Sequence, residues 1–238
     1  MFGYGYFFSK TDSMFFLVVI LPILVISLLV SLKLKMTYNK YSKIKNINNV
    51  SGAVVARNIL DSYGLYEVKV EAVSGHLSDH YDPTCGVVRL SYKNYEGSSI
   101  AAIGVAAHEV GHAIQHAKGY FPIKIRSVVI PMTQIGSMAS VPIFFAGLIL
   151  SNFKIAYFGI ILFAFVAFFQ FITLPVEFDA SARAIKIIGS QNILSKEEVK
   201  GVKKVLWAAA MTYVVSFAMT LAQIVRLLLI LFNAKNDD

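Results

Sequence analysis

The run Ala102–Gln115 reads AIGVAAHEVGHAIQ and contains the pentad His108-Glu109-Val110-Gly111-His112. Small and apolar residues fill the stretch before the first histidine, and no Pro interrupts it, so the segment reads as a helix. The expected helix runs from about Ser98 to Ala117, with Gly119 as its stop signal. On a helix, residues four apart share a face, so His108 and His112 can aim two imidazole nitrogens at one metal ion. Glu109 sits one position round from the first of them. There its carboxylate can reach a water at the metal without being a ligand, which is the logic of H-E-x-x-H. The chain has five His in 238 residues, so two of them fall in this one pentad.

Outward from this helix, the composition is that of a membrane protein. Hydrophobic residues make up 56% and charged residues 15%, against about 25% charged in a typical soluble domain. Mean hydropathy is +0.63. The single cysteine, Cys85, excludes an internal disulfide framework and any Cys-x-x-Cys metal site. A net charge of +8 raises the question of nucleic acid. The lysines, however, cluster beside apolar runs, as membrane anchors do, so no nucleic-acid partner is expected.

Four runs are long enough to cross a bilayer: Met14–Leu32, Val128–Leu150, Phe153–Leu174 and Val205–Phe232. The first has no charge over about 28 Å of helix. It lacks a cleavage signature and reads as an uncleaved anchor. Gly136 and Ser140 in the second have the small-xxx-small spacing that lets helices approach closely in lipid. Arg226 in the fourth lies toward its C-terminal end, where snorkelling is the simplest reading. Lys and Arg number twelve in residues 33–127 and six in 175–204, against Lys10, Lys154 and Lys235 in the opposite segments. The excess places 33–127 and 175–204 in the cytoplasm and both termini outside.

The expected organisation has five parts: 1–32, the N-terminal segment and first anchor; 33–127, a cytoplasmic-side unit with the HEVGH helix; 128–174, a transmembrane hairpin; 175–204, a returning helix; 205–238, a last span and tail. Within 33–127 the reading is α+β. Ser51 caps a helix reaching about Tyr63, and Gly64 follows as its C′ residue. Tyr66–Val73 and Val87–Ser91 read as strands, the latter either an edge strand for substrate backbone or an ordinary strand of the sheet. Gly75–Cys85 has turn composition, and Lys40–Asn49 reads as a linker.

A catalytic zinc takes three protein ligands and keeps one position open. His116 lies about 12 Å further along the helix than His108, which makes it a poor third ligand. Glu177, in Pro175-Val176-Glu177-Phe178-Asp179-Ala180-Ser181-Ala182-Arg183-Ala184, follows directly on the third span. Pro175 suits the first turn of a helix. There Glu177 would be either a ligand or a carboxylate favouring a helix N-terminus. The loop residues His76, Asp79, His80 and Asp82 read as a hydrogen-bonded or solvated loop before a second metal site. Arg183, His80, Tyr81 and His116 are candidate donors to a developing oxyanion.

The segments Gly75–Pro83, Val88–Ser91, Ala102–Gln115 and Glu177–Ala184, together with the placement of the spans, resemble the YugP-type neutral zinc metallopeptidases of bacterial membranes. More distantly the chain is similar to HtpX-type membrane gluzincins, which also place a transmembrane hairpin between H-E-x-x-H and a glutamate ligand. The resemblance implies an α-helical membrane protein with about four transmembrane helices and a small α+β zincin-like unit on the cytoplasmic side. It implies one zinc ion per chain held by His108, His112 and Glu177, with Glu109 as general base. It implies an endopeptidase in the bacterial cytoplasmic membrane acting on peptides or proteins, membrane proteins among them. The alternative is a non-catalytic membrane scaffold or regulator that retains a zinc site. The distant relatives carry Asp four residues after the glutamate; here that position is Ser181, so Ser181 or Asp179 would have to support the ligands instead.

Overall fold

The computed structural model describes residues 10–75 and 78–236, so His76 lies outside the described residues. The elements are α1 (Lys10–Phe15), a π-helical turn (Phe16–Ile20), α2 (Leu21–Tyr41), α3 (Gly52–Ser62), β1 (Lys69–Val73), β2 (His80–Asp82), β3 (Val87–Ser91), α4 (Tyr92–Tyr95), α5 (Ile100–Ala117), α6 (Phe121–Ile149), α7 (Phe153–Ser190) and α8 (Lys196–Asn236). The chain is mostly helical with one small mixed sheet. It divides into two units, one of Ser31–Lys124 with Leu174–Met211, the other of Met1–Val30, Ile125–Thr173 and Thr212–Asp238.

In the first of these units the local signals are capping signals. The Ser51 side chain accepts from the Val54 N–H at the start of α3, and Gly64 has φ +73 just past its end. Ser99 does the same for α5 through the Ala102 N–H, and Gly119 has φ +66. The inner face of α3 (Val55, Ile59, Leu60) packs with Val88 and Leu90 of β3, Ile103, Val110 and Ile114 of α5, Ile187 and Ile188 of α7 and Leu206 of α8. α5 is therefore enclosed, with both histidines set in a wall of apolar residues rather than on a surface helix.

The sheet order is β1-β3-β2, with β1 parallel and β2 antiparallel to β3. Val87–Ser91 is thus the central strand, not an edge: β1 pairs with its whole length on one side and β2 with Val87–Arg89 on the other. A substrate strand cannot be added along the whole of it; the edges of the sheet are β1 and β2. Arg89 reads across all three strands, 2.8 Å from Asp82 and 3.7 Å from Glu71. The turn-like stretch Gly75–Cys85 contains β2, whose three residues are too few to give a periodicity. Asp82 closes the hairpin by accepting from the Thr84 and Cys85 N–H groups, and Gly86 has φ +64.

Two further expectations change. Lys40–Asn49 is docked rather than a free linker: Asn46 is buried and bonds the carbonyls of Val50 and Ser98, while the Ile47 N–H bonds Glu198. Pro175 lies inside α7 rather than at a helix start. A proline normally breaks a helix there. Here Val176, Ala180, Ala184 and Ile188 are fully buried on the following turns, and their packing holds the axis through the missing hydrogen bond.

In the other unit, α6 and α7 touch backbone to backbone. A Cβ on Gly147 would lie 2.3 Å from the Ala156 nitrogen, and one on Gly159 2.7 Å from the Ser140 carbonyl. Gly136 and Ser140 both face α7, as their spacing suggested. Arg226 of α8 makes a two-point ion pair with the buried Asp12, at 2.8 and 3.0 Å. Three helices, Thr11–Tyr41, Phe153–Ser190 and Lys196–Asn236, are long and apolar enough to cross a membrane. Phe121–Ile130 with Thr133–Ile149 makes a fourth if this pair, bent by 53°, is one span. Leu17, Val18, Leu24, Val25, Leu28 and Leu29 are all exposed by 46% or more, an apolar face that water alone would not leave uncovered.

Candidate metal centre

The site is built where α5 crosses α7, inside one unit. Gly111 makes the crossing possible. A Cβ there would lie 2.7 Å from the Ala180 carbonyl oxygen and 3.2 Å from its Cα, both backbone atoms. The close approach places Glu177, one turn before Ala180, over the two histidines. His108 Nε2 is 3.2 Å from one Glu177 carboxylate oxygen, and His112 Nε2 is 3.7 Å from the other. The imidazole rings are 4.7 Å apart and nearly perpendicular.

Two nitrogens and an oxygen suit zinc, and so does their spacing. A tetrahedral zinc with bonds of about 2.0–2.1 Å has ligands about 3.4 Å apart, and the nitrogen–oxygen separations bracket that value. The three ligand atoms lie within 4.8 Å of one another, and no other such His/Cys/Asp/Glu group occurs among the described residues. Behind the rings, His108 Nδ1 lies 3.2 Å from Ser181 Oγ and His112 Nδ1 3.0 Å from Gln115 Oε1. Ser181 thus stands in the place where the distant relatives carry Asp, and Asp179 reaches the centre only through Gln115.

Glu109 is 8% exposed and close enough to His108 and Glu177 to feel their charges. Burial pushes its carboxyl up to about 7; His108 pulls it down, and Glu177 and Asp79 push it further up. A carboxyl poised there both takes and returns a proton at neutral pH.

The remaining candidates are dispersed. His116 is exposed, its ring 6.1 Å from that of Tyr81. His80 Nδ1 is tied to the Ser78 carbonyl at 2.7 Å. Asp79 accepts from the Ser91 N–H and hydroxyl and from Asn94. Asp82 is held by Arg89, which keeps its carboxyl well below the usual range. The loop's acidic groups are thus spent on structure. Arg183 is paired with Asp179 and lies over the Tyr120 ring at 5.9 Å.

Gly111 and Gln115 are the residues that sequence reasoning passed over. Gln115 sits three positions after His112, so the two side chains share a helix face, and an amide at that spacing was a usable signal. Gly111→Val is expected to force α7 away. Zinc retention should fall at least about tenfold and stability by about 1–3 kcal/mol, read by metal analysis and thermal unfolding. A variant with unchanged zinc content and midpoint would contradict the crossing as described.

Residues 16–232 match the family described as "Putative neutral zinc metallopeptidase". The chain is 44% identical over 225 residues, 94% of its own length and all of the relative's, to the "Putative membrane protease YugP" of Bacillus subtilis (strain 168). No solved structure matches.

Proposed function

From the premise that this chain belongs to the neutral zinc metallopeptidase family, we propose that it is a membrane-integrated endopeptidase of the gluzincin type. His108, His112 and Glu177 hold one zinc ion per chain, and Glu109 is the general base. The observation that carries this reading is the convergence of the three ligand atoms beside a buried carboxyl, that of Glu109.

Zinc, when bound, supplies a Lewis acid that polarises a carbonyl and makes nearby water acidic. The chain's own groups do the rest. The enclosed α5 fixes His108 and His112, and the tight crossing at Gly111 fixes Glu177 against them. Glu109 takes a proton from the water that adds to the scissile carbonyl. It returns that proton to the departing amine as the carbon–nitrogen bond breaks. Its burial raises its basicity, which favours the first transfer.

The proposed setting is the bacterial cytoplasmic membrane, with the site facing the cytoplasm and the five-part organisation given above. The Lys/Arg excess of 33–127 and 175–204 and the uncovered apolar face of α2 support it. Peptides and proteins, including membrane proteins, are the proposed substrates.

Two measurements test these statements. Full-length protein purified in detergent without chelators should hold about one zinc per chain; a content near zero would overturn the metal assignment. Cys85, the lone and exposed thiol, reports orientation. A membrane-impermeant maleimide should label it only after the cells are permeabilised, and labelling in intact cells would reverse the topology.

A further inference from the structure

We propose that Gln115 is a positioning residue that presets the ring of His112 for metal and ties it to the helix delivering Glu177; this rests on the ligand assignment above. Gln115 is fully buried. Burying an amide is costly unless its groups are bonded. Its bonds join His112 on one side to Val176 and Asp179 of α7 on the other.

The chemistry of its partners decides which way the amide faces. Its nitrogen lies 2.8 Å from the Val176 carbonyl and 2.8 Å from an Asp179 carboxylate oxygen. Both partners only accept, so the nitrogen end must face them. The oxygen end therefore faces His112 Nδ1 at 3.0 Å. An amide oxygen only accepts, so Nδ1 carries the proton. In the neutral imidazole the lone pair then falls on Nε2. That is the nitrogen 3.7 Å from Glu177 Oε1, on the side where the ligand atoms converge.

The clamp is itself braced. Arg183 donates to Asp179, its guanidinium lies over the Tyr120 ring, and the Tyr120 N–H bonds the Gln115 carbonyl. His108 is treated differently. Its Nδ1 faces the Ser181 hydroxyl, which can donate or accept and so dictates no tautomer. The Gln115 amide also grips the α7 backbone at the residue before Glu177, so one side chain sets the second ligand and steadies the third.

The test uses the full-length chain in detergent, stripped of metal, with zinc affinity read by competition with a chromophoric chelator. Gln115→Leu is expected to weaken zinc binding about 10–100-fold, and Ser181→Ala by less. Zinc affinity of Gln115→Leu within about twofold of wild type, or a larger loss in Ser181→Ala, would overturn the proposal. A second measurement needs no folded variant at Gln115. In metal-free protein labelled with 15N-histidine, the His112 signal (identified by its loss in His112→Gln) should show a protonated Nδ1. A proton on Nε2 instead would overturn the proposal. A wild-type chain that bound no zinc yet showed the Nδ1 proton would sink the ligand assignment and leave the tautomer clamp standing.

Discussion

Glu109→Gln is expected to lower peptide hydrolysis by about 10²–10⁴-fold while the chain keeps its zinc. The amide fills the space of the carboxylate but cannot accept a proton from water. Glu109 is not one of the three converging ligand atoms, so metal content should not follow activity. The substitution also replaces a carboxyl that burial already disfavours as an anion, so the fold has no reason to weaken. The measurement pairs metal analysis with hydrolysis of quenched fluorescent peptides by the purified full-length chain. Zinc and hydrolysis both at wild-type levels would remove Glu109 from the chemistry. The split result also separates a peptidase from a scaffold that merely retains zinc. If the variant complements a deletion strain as well as the wild type does, hydrolysis is not what the cell uses.

What was legible in the sequence was whatever depends on neighbours along the chain. The ends of α3 and α5 are written in Ser51, Ser99, Gly64 and Gly119, because a cap is a local hydrogen bond or a local positive φ. β3 was legible too, through its run of β-branched and aliphatic residues. Its place in the centre of the sheet was not, because pairing is decided by which strands arrive on either side. β2 escaped because three residues ending in an Asx turn look like the turn alone. Pro175 misled because a strong local rule lost to the burial of four residues downstream. Asn46 misled in the opposite sense, a polar residue in a polar stretch that is nonetheless buried with its amide bonded. For the candidate site, spacing fixes the relation of His108, Glu109 and His112 on one helix. The contact with Glu177 depends on the α5–α7 crossing, which rests on Gly111 meeting the Ala180 backbone. No spacing rule reaches that far.

Glu177→Ala is expected to cost the chain both its zinc and its hydrolysis. The two readings of Glu177, metal ligand and helix-start carboxylate, diverge on where α7 begins. α7 starts at Phe153, so Glu177 lies deep inside the helix, far from the dipole's positive end. At 3% exposed it also pays a desolvation cost that an electrostatic ornament could not offset. A cation held between the carboxylate and the two imidazoles would offset that cost. Loss of a group supporting a ligand already weakens metal binding about 10–100-fold, so loss of the ligand itself should exceed about 100-fold. Zinc should then be lost to a mild chelator, and hydrolysis with it. Glu177→Asp, which draws the carboxylate back by about one methylene, should retain zinc more weakly than wild type but better than the alanine variant. The buried Val176 and Ala180 still anchor α7 in both variants, so the thermal midpoint of metal-free protein should not drop. An alanine variant that held zinc and hydrolysed peptide like the wild type would dissolve the three-ligand centre, because among the described residues no other His, Cys, Asp or Glu group stands close enough to replace it.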